Sequence, residues 1–278
     1  MAETTLPHTD EEMEVATSAD GTEIAFARTG SGPPLVLVHG AGFDYSFWNL
    51  SDLGPALAEH YTVYAIDRRG RGGSGDADEY ELEREIEDVA AVVESIDEPV
   101  TLLGHSFGAV VALNAADRID TLRSLVLYEP GISFEEGFPL MEQMLATVQP
   151  LIADGEKEQA LLTVLATVKL PESSIEELRS GANWQAHVDA ADTLPREFEQ
   201  LIEYEFEPDR FRDLTTPALL LLGEESSPGA IDATETVDQT LPDSRIVRID
   251  GADHFGLITM PDRCVEEVLA FRHATNTR

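Results

Sequence analysis

Short apolar runs recur along the chain and alternate with longer segments whose apolar residues follow a helical period. An unbroken apolar run of about five residues is typical of a strand buried on both faces of a parallel sheet. Such a run occupies 34–38, and the further predicted strands, also rich in apolar residues, are 61–66, 99–103, 122–127, 217–222 and 245–249. The predicted helices between and after them are 45–59, 82–96, 109–116, 230–241 and 261–273. This alternation predicts an α/β protein with a mainly parallel sheet that helices cover on both faces.

The amino-terminal region departs from this alternation. Residues 13–19 and 22–28 flank Asp20-Gly21, a dipeptide that favours a tight turn between two antiparallel strands. The sequence therefore predicts a hairpin, preceded by a loose polar tail over residues 1–12.

Residues 131–213 interrupt the alternation a second time. They contain predicted helices at 137–152, 156–168, 173–190 and 195–206, with no convincing strand pattern. We expect a helical lid over the carboxyl ends of the strands, inserted between two core segments, 1–130 and 214–278. Additional packing helices without a role in binding are the alternative.

The stretch Gly104-His-Ser106-Phe-Gly108 lies where a predicted buried strand meets a predicted helix. In this context G-x-S-x-G predicts a nucleophile elbow, a sharp turn that exposes the serine hydroxyl. The turn strains the serine backbone, and glycine at 104 and 108 removes the side chains that would collide with it. Ser106 is therefore the candidate nucleophile, at the positive end of the following helix.

The strongly negative net charge argues against nucleic acids and anionic membranes as partners. The 278 residues include 54 acidic and 18 basic ones, which gives a net charge of −36, and only Lys157 and Lys169 are lysines. Such a chain lacks the basic surface that nucleic acids or anionic membranes require. An acidic, lysine-poor composition resembles that of proteins from salt-loving microbes, because molar salt screens charge repulsion. An ordinary acidic protein is the alternative.

The amino-terminal segment predicts the cellular location, and the single cysteine predicts a buried thiol. Residues 1–14 are polar and acidic and lack the apolar core of a signal peptide, which predicts a cytoplasmic protein. Cys264 excludes an internal disulfide, and its apolar neighbours predict a buried structural thiol.

Four motifs in this order resemble those of the α/β-hydrolase superfamily over nearly the whole chain. They are His39-Gly40-Ala41-Gly42, Asp67 to Ser74, the Ser106 elbow and Asp253-His254, each after a predicted strand. The resemblance implies the α/β-hydrolase fold with a serine nucleophile and a lid. It also implies His254 as the general base and an oxyanion hole formed by the backbone N–H groups of Ala41 and Phe107.

The acid of the implied triad departs from the usual pattern of the family. The commonest position holds an Asp, but here that position, after Gly223-Glu224-Glu225, is Ser226. A serine cannot stabilise an imidazolium as a carboxylate does. Glu129, at the end of the preceding predicted strand, occupies the place to which some members of the superfamily move the acid. Glu224 or Glu225 is the alternative.

The resemblance implies a hydrolase that cleaves an ester or related acyl bond of a small molecule through an acyl-enzyme. Hydrolysis of a carbon–carbon bond in a diketone-like substrate and non-catalytic binding of a small molecule are the alternatives. His39, Phe43 and Trp184 are candidates for the substrate pocket. Arg196 either anchors an anionic group of the substrate or pairs with Glu197 or Glu199. No metal-ligand cluster and no phosphate-binding glycine loop appear in the sequence, so we expect no cofactor. The sequence does not indicate an oligomeric state.

Overall fold

The computed structural model describes residues 13–132 and 138–275. Eight strands form one sheet in the order β1-β2-β4-β3-β5-β6-β7-β8. Their bounds are β1 Glu14–Thr17, β2 Glu23–Gly30, β3 Pro34–Val38, β4 Thr62–Ile66, β5 Val100–His105, β6 Leu122–Tyr128, β7 Ala218–Gly223 and β8 Ser244–Ile249. Strand β2 pairs antiparallel with β1 and β4, and all other pairs are parallel. The expected α/β fold with its amino-terminal hairpin is confirmed.

Twelve α-helices lie in the described part of the chain. They are α1 Leu53–Ala58, α2 Leu82–Glu94, α3 Phe107–Ala116, α4 Phe138–Ala153, α5 Lys157–Thr167, α6 Glu172–Ser180, α7 Trp184–Ala190, α8 Leu194–Glu203, α9 Pro208–Phe211, α10 Pro228–Thr240, α11 Gly256–Thr259 and α12 Pro261–Thr275. None of these helices combines the length and the apolar character that crossing a bilayer requires. The predicted tail at 1–12 and the predicted helix start at Gly137 lie outside the described residues.

The centre of the sheet is the apolar core. Every residue of β3, β5 and β7 is buried, as is typical of central parallel strands that are covered on both faces. Because β3, β5, β6, β7 and β8 run parallel, their carboxyl ends meet at one edge of the sheet. The loops after these strands therefore converge, which brings together residues that are far apart in sequence. Cys264 is buried in α12, as expected.

Two predicted helices differ from those observed. The segment predicted at 45–59 begins as a 3-10 helix, Tyr45–Asp52. Asp52 adopts a left-handed φ of +62°, which separates this helix from α1. The helix predicted at 173–190 is split into α6 and α7. Gly181 and Asn183 lie at the break, and both residue types are unfavourable inside a helix.

Helices α4 to α9 follow one another without an intervening strand in residues 138–211. Helix α4 packs against α5 and α8. We call α4–α9 the cap. The division of the chain into a core and a lid stays a prediction.

Candidate active site

The elbow residue Ser106 joins β5 to α3. Its backbone is strained, with φ of +55° and ψ of −118°. A Cβ on Gly104 would overlap the carbonyl oxygen of Gly108, and a Cβ on Gly108 would overlap that of Val38. Only glycine at both positions lets strand and helix approach this closely. The turn presents the Ser106 side chain to a cavity, at the amino-terminal end of α3.

The structure brings His254 and Glu129 together. Nδ1 of His254 lies 2.8 Å from Oε2 of Glu129, which is fully buried. The other carboxylate oxygen accepts hydrogen bonds from the Gly223 N–H, at 2.9 Å, and from the Ser226 hydroxyl. When Nδ1 donates its proton to Glu129, Nε2 of His254 is left as a proton acceptor. His254 and Ser106 line the same cavity.

Ser226, at the position where the family resemblance implies the acid, contacts Glu129 as a hydrogen-bond donor. Glu224 and Glu225 are both exposed. The carboxylate at Nδ1 of His254 is thus that of Glu129. The sequence could not reveal the Ser226 contact, because the spacing of residues does not show that two strand ends meet side by side.

His105 supports the loop that carries His254. Its Nε2 donates to the backbone oxygen of His254 at 3.0 Å, and its ring stacks on Phe47 with 5.0 Å between centres. Burial, and then the adjacent imidazole of His254, lower the pKa of His105 to about 3. The ring is therefore neutral at physiological pH.

His39 lies beneath the first glycine-rich loop. Its Nδ1 donates to the Gly40 carbonyl oxygen at 2.8 Å, and its Nε2 accepts from the Arg68 N–H at 3.3 Å. Burial, followed by Arg71 and Arg68, holds the pKa of His39 well below its usual range. The side chain is fully buried and does not line the cavity, so the structure does not place it against a substrate as the sequence suggested.

The cavity at the carboxyl edge of the sheet has a volume of about 1130 Å³. Phe43, a candidate for the substrate pocket, lies in its wall, and so does Ala41. Much of the remaining lining is apolar and comes from the cap: Leu140, Met141, Met144, Val164, Leu165, Val168, Phe198 and Leu201. Trp184 does not line the cavity, and its ring centre lies 6.0 Å from the guanidinium of Arg179.

The two backbone N–H groups expected to form the oxyanion hole are those of Ala41 and Phe107, and the two residues differ in how they lie at the cavity. Ala41 lines it directly, while the Phe107 side chain is buried and its N–H begins α3. The first N–H groups of a helix have no acceptor within the helix, so they are available to a ligand. The arrangement offers a hydroxyl, a base oriented by a carboxylate, and donors for a developing negative charge.

A buried cluster of charges adjoins the site, and sequence reasoning did not find it. Arg68 forms two hydrogen bonds with Glu85, at 3.0 and 2.6 Å, and one with Glu197 at 2.9 Å. Arg71 pairs with Glu197 as well. Burial works to lower the pKa of Arg68, but Glu85 and Glu197 outweigh it and raise that pKa above its usual range. The only signal in the sequence was the presence of three arginines in the segment from Asp67 to Ser74.

Arg196, a candidate anchor for an anionic substrate group, pairs with Asp76 at 2.9 Å. Its partner is thus the exposed residue Asp76 and neither Glu197 nor Glu199. Glu197 is instead held by Arg68 and Arg71.

Comparison with known proteins gives a consistent result. A family model described as "Alpha/beta hydrolase family" matches residues 35–267. The chain is 28% identical over 257 residues to a pimeloyl-[acyl-carrier protein] methyl ester esterase of Aeromonas hydrophila, covering 89% of this chain and 98% of that one. It is 25% identical over 279 residues to a 2-hydroxy-6-oxo-6-(2'-aminophenyl)hexa-2,4-dienoic acid hydrolase of Metapseudomonas resinovorans, covering 94% and 92%.

Solved structures agree with this result. An α/β hydrolase from Sphaerobacter thermophilus superposes with a TM-score of 0.73 at 29% identity, over 91% of this chain and 99% of that one. An esterase from Rhodococcus sp. ECU1013 superposes with a TM-score of 0.75 at 26% identity, over 94% and 98%.

Proposed function

Because the chain belongs to the alpha/beta hydrolase family, we propose that it hydrolyses a carboxylic ester or related acyl bond of a small molecule through an acyl-enzyme at Ser106. It is a hydrolase of this fold, and named esterases are among its relatives. The observation that carries the proposal is the 2.8 Å contact between His254 and Glu129 beside a cavity that Ser106 also lines.

The proposed reaction begins when His254 Nε2 takes the proton of the Ser106 hydroxyl. The oxygen attacks the acyl carbon, and the carbonyl electron pair moves to its oxygen, where the N–H groups of Ala41 and Phe107 stabilise the charge. Collapse of the intermediate breaks the bond to the alcohol, which receives its proton from His254. In the second half, His254 takes a proton from water, whose oxygen attacks the acyl carbon of the acyl-enzyme. The bond to Ser106 then breaks, Ser106 regains its proton from His254, and the carboxylic acid is released. Glu129 stabilises the imidazolium that forms in each half.

The apolar cap lining and the cavity of about 1130 Å³ support an apolar acyl or alcohol group as part of the substrate. Burial of apolar surface contributes roughly 25 cal/mol per Å², so such a lining binds a hydrocarbon chain without specific polar contacts.

The test combines active-site labelling with turnover. A fluorophosphonate probe should label the folded protein once, at Ser106, and chromogenic esters of varied acyl length should be hydrolysed at high salt. Ser106→Ala should lose both labelling and turnover, the latter by on the order of 10⁴-fold or more. Unfolded wild-type protein, which should not be labelled, is the control for a site-dependent reaction. Ester hydrolysis that persists in pure Ser106→Ala protein would refute the serine mechanism.

Carbon–carbon bond hydrolysis is a second candidate, because a relative named as a dienoic acid hydrolase aligns over 94% of this chain. A vinylogous diketone substrate separates the two. Turnover of this substrate at a higher kcat/KM than any chromogenic ester would favour the second candidate. A protein that binds ligands but is not labelled at Ser106 would instead be a non-catalytic member of the family.

A further inference from the structure

The buried guanidinium of Arg68 contacts both segments that carry the backbone donors of the proposed oxyanion hole. Nη1 of Arg68 donates to the Gly40 carbonyl oxygen at 3.3 Å. The Cζ atom of the same side chain lies 4.4 Å from the ring centre of Phe107. Arg68 is 1% exposed and does not line the cavity, so it contacts the frame of the hole and not the substrate.

The Gly40 carbonyl and the Ala41 N–H belong to the same peptide unit. In a trans peptide these two groups point in opposite directions, and the described residues contain no cis peptide. The Gly40 oxygen is fixed towards the interior by His39 at 2.8 Å and by Arg68. The N–H of Ala41 is therefore directed to the opposite side. We propose that Arg68 is a positioning residue of the oxyanion hole, which holds the Gly40–Ala41 peptide with its N–H towards the substrate carbonyl. This inference rests on the proposed function.

The positive charge of Arg68, like its position, favours stabilisation of an oxyanion by the Ala41 N–H. A cation that donates to a carbonyl oxygen polarises the peptide and strengthens the N–H at its other end as a donor. A donor that is fixed before the reaction needs no reorganisation as negative charge develops, and this is the source of most oxyanion stabilisation.

Two carboxylates hold the guanidinium in place. Glu85 of α2 binds it through two hydrogen bonds, at 3.0 and 2.6 Å, and Glu197 of the cap binds it at 2.9 Å. The second oxygen of Glu197 accepts the N–H of Gly42 at 3.4 Å. Helix α8 thus contributes to fixing the loop on both sides of Ala41.

The chain contains a matched control for this arrangement. Arg69, the next residue, makes an equally buried two-bond pair with Asp88 of the same helix α2, at 2.7 Å for each bond. Within the described residues, the hydrogen bonds of Arg69 go to Asp88, Asp20 and the Arg84 carbonyl, and none goes to residues 39–42. The double variants Arg68→Gln/Glu85→Gln and Arg69→Gln/Asp88→Asn each remove one buried ion pair. Glu197 keeps Arg71 as a partner in the first variant. In the second variant Asp20, which pairs with Arg69 at 3.0 Å, loses that partner, but its side chain is 19% exposed and so remains in contact with water.

The experiment compares both double variants with the wild type. In Arg68→Gln/Glu85→Gln we expect kcat on a chromogenic ester to fall by roughly 10- to 100-fold, since a misdirected donor costs less than a deleted one. KM should stay within about 3-fold, because the ground-state substrate is bound by the apolar lining. Affinity for an aryl trifluoromethyl ketone, which forms an oxyanion on Ser106, should fall by the same factor as kcat/KM. Arg69→Gln/Asp88→Asn should leave all three quantities within about 3-fold of the wild type.

Two outcomes would overturn the inference. One is an unchanged kcat and ketone affinity in Arg68→Gln/Glu85→Gln, and the other is an equal loss in the Arg69 control, which would indicate a general effect of buried pairs. If Arg68→Gln/Glu85→Gln does not fold, Arg68→Lys decides. It keeps the charge, and should show a smaller loss of kcat with unchanged KM; wild-type activity in this variant would also overturn the inference. Failure of the proposed function is a separate result, because wild-type protein would then neither react with the fluorophosphonate nor bind the ketone.

Discussion

Glu129 accepts hydrogen bonds from Gly223, Ser226 and His254 in a buried setting, and its own backbone adopts a φ of +44°. A non-glycine residue in this region costs on the order of 1 kcal/mol and persists only where the surroundings require it. The carboxylate therefore has fixed partners on both oxygens. A position so constrained supports a role in orienting His254.

Glu129→Gln should reduce turnover by roughly 10³- to 10⁴-fold with little change in KM, because the amide loses the charge that stabilises the imidazolium and can select the wrong tautomer. Turnover of one activated ester measures this. Glu224→Gln and Glu225→Gln are the matched controls, since both carboxylates are exposed, and we expect mild effects. A nearly silent Glu129→Gln together with a crippling change at either control position would place the acid in the later loop.

His105 makes stability depend on pH with a defined sign. Its pKa in the folded protein is about 3, lowered by burial and then by His254, whereas an exposed histidine titrates near pH 6.5. Between these values the unfolded chain binds more protons, so the free energy of unfolding falls as pH falls.

The test is urea unfolding of wild type and His105→Gln at two pH values. From pH 7 to pH 5.5 the wild type should lose about 1 kcal/mol more than the variant, since one histidine contributes at most about 1.4 kcal/mol per pH unit. The same pH dependence in both proteins would contradict a buried neutral ring.

At the scale of elements, short segments rich in apolar residues located the strands β3 to β8, because the burial of central strands gives a strong and local signal. The strand-to-helix context of Ser106 was equally local. The buried environments of Arg68 and His39 could not be predicted from local sequence, because both depend on partners from distant segments that meet only in the folded chain. Hydropathy places arginine at the surface by default, so a buried pair such as Arg68 and Glu85 is hidden from it.

The elbow depends on contact between helix α3 and the end of β3. Gly108→Ala should therefore destabilise the protein by about 2 to 3 kcal/mol or more, since the new methyl group meets the backbone oxygens of Val38 and His39, which cannot move aside singly. Gly229→Ala, in α10, is the control because nothing lies within 4 Å of its added Cβ. This control should be neutral or slightly stabilising. The urea unfolding midpoints of the two variants measure these changes in stability. Similar midpoints would show that the close contact between α3 and the end of β3 does not require glycine at position 108.

At the scale of the whole molecule, the net charge of −36 is the dominant long-range term. Many cations are already engaged in ion pairs, and Arg68, Arg69 and Arg71 are buried inside the protein. These three arginines neutralise buried carboxylates, so the excess of negative charge lies on the rest of the protein. Self-repulsion of this kind opposes the compact state.

We propose that the protein is adapted to high salt, and its melting temperature tests this. Charges interact over about 10 Å at 0.1 M salt and only about 3 Å at 1 M, so raising KCl from dilute to molar concentration should relieve repulsion of several kcal/mol. For a chain of this size that corresponds to a rise on the order of 10 °C. Sucrose is the control, because it stabilises folded proteins without screening their charges. A variant in which the exposed residues Glu59, Asp97, Glu98 and Asp120 are replaced by amides should show a smaller rise with KCl, from a higher melting temperature in dilute buffer. A wild-type melting temperature that stays constant or falls with KCl would refute the adaptation.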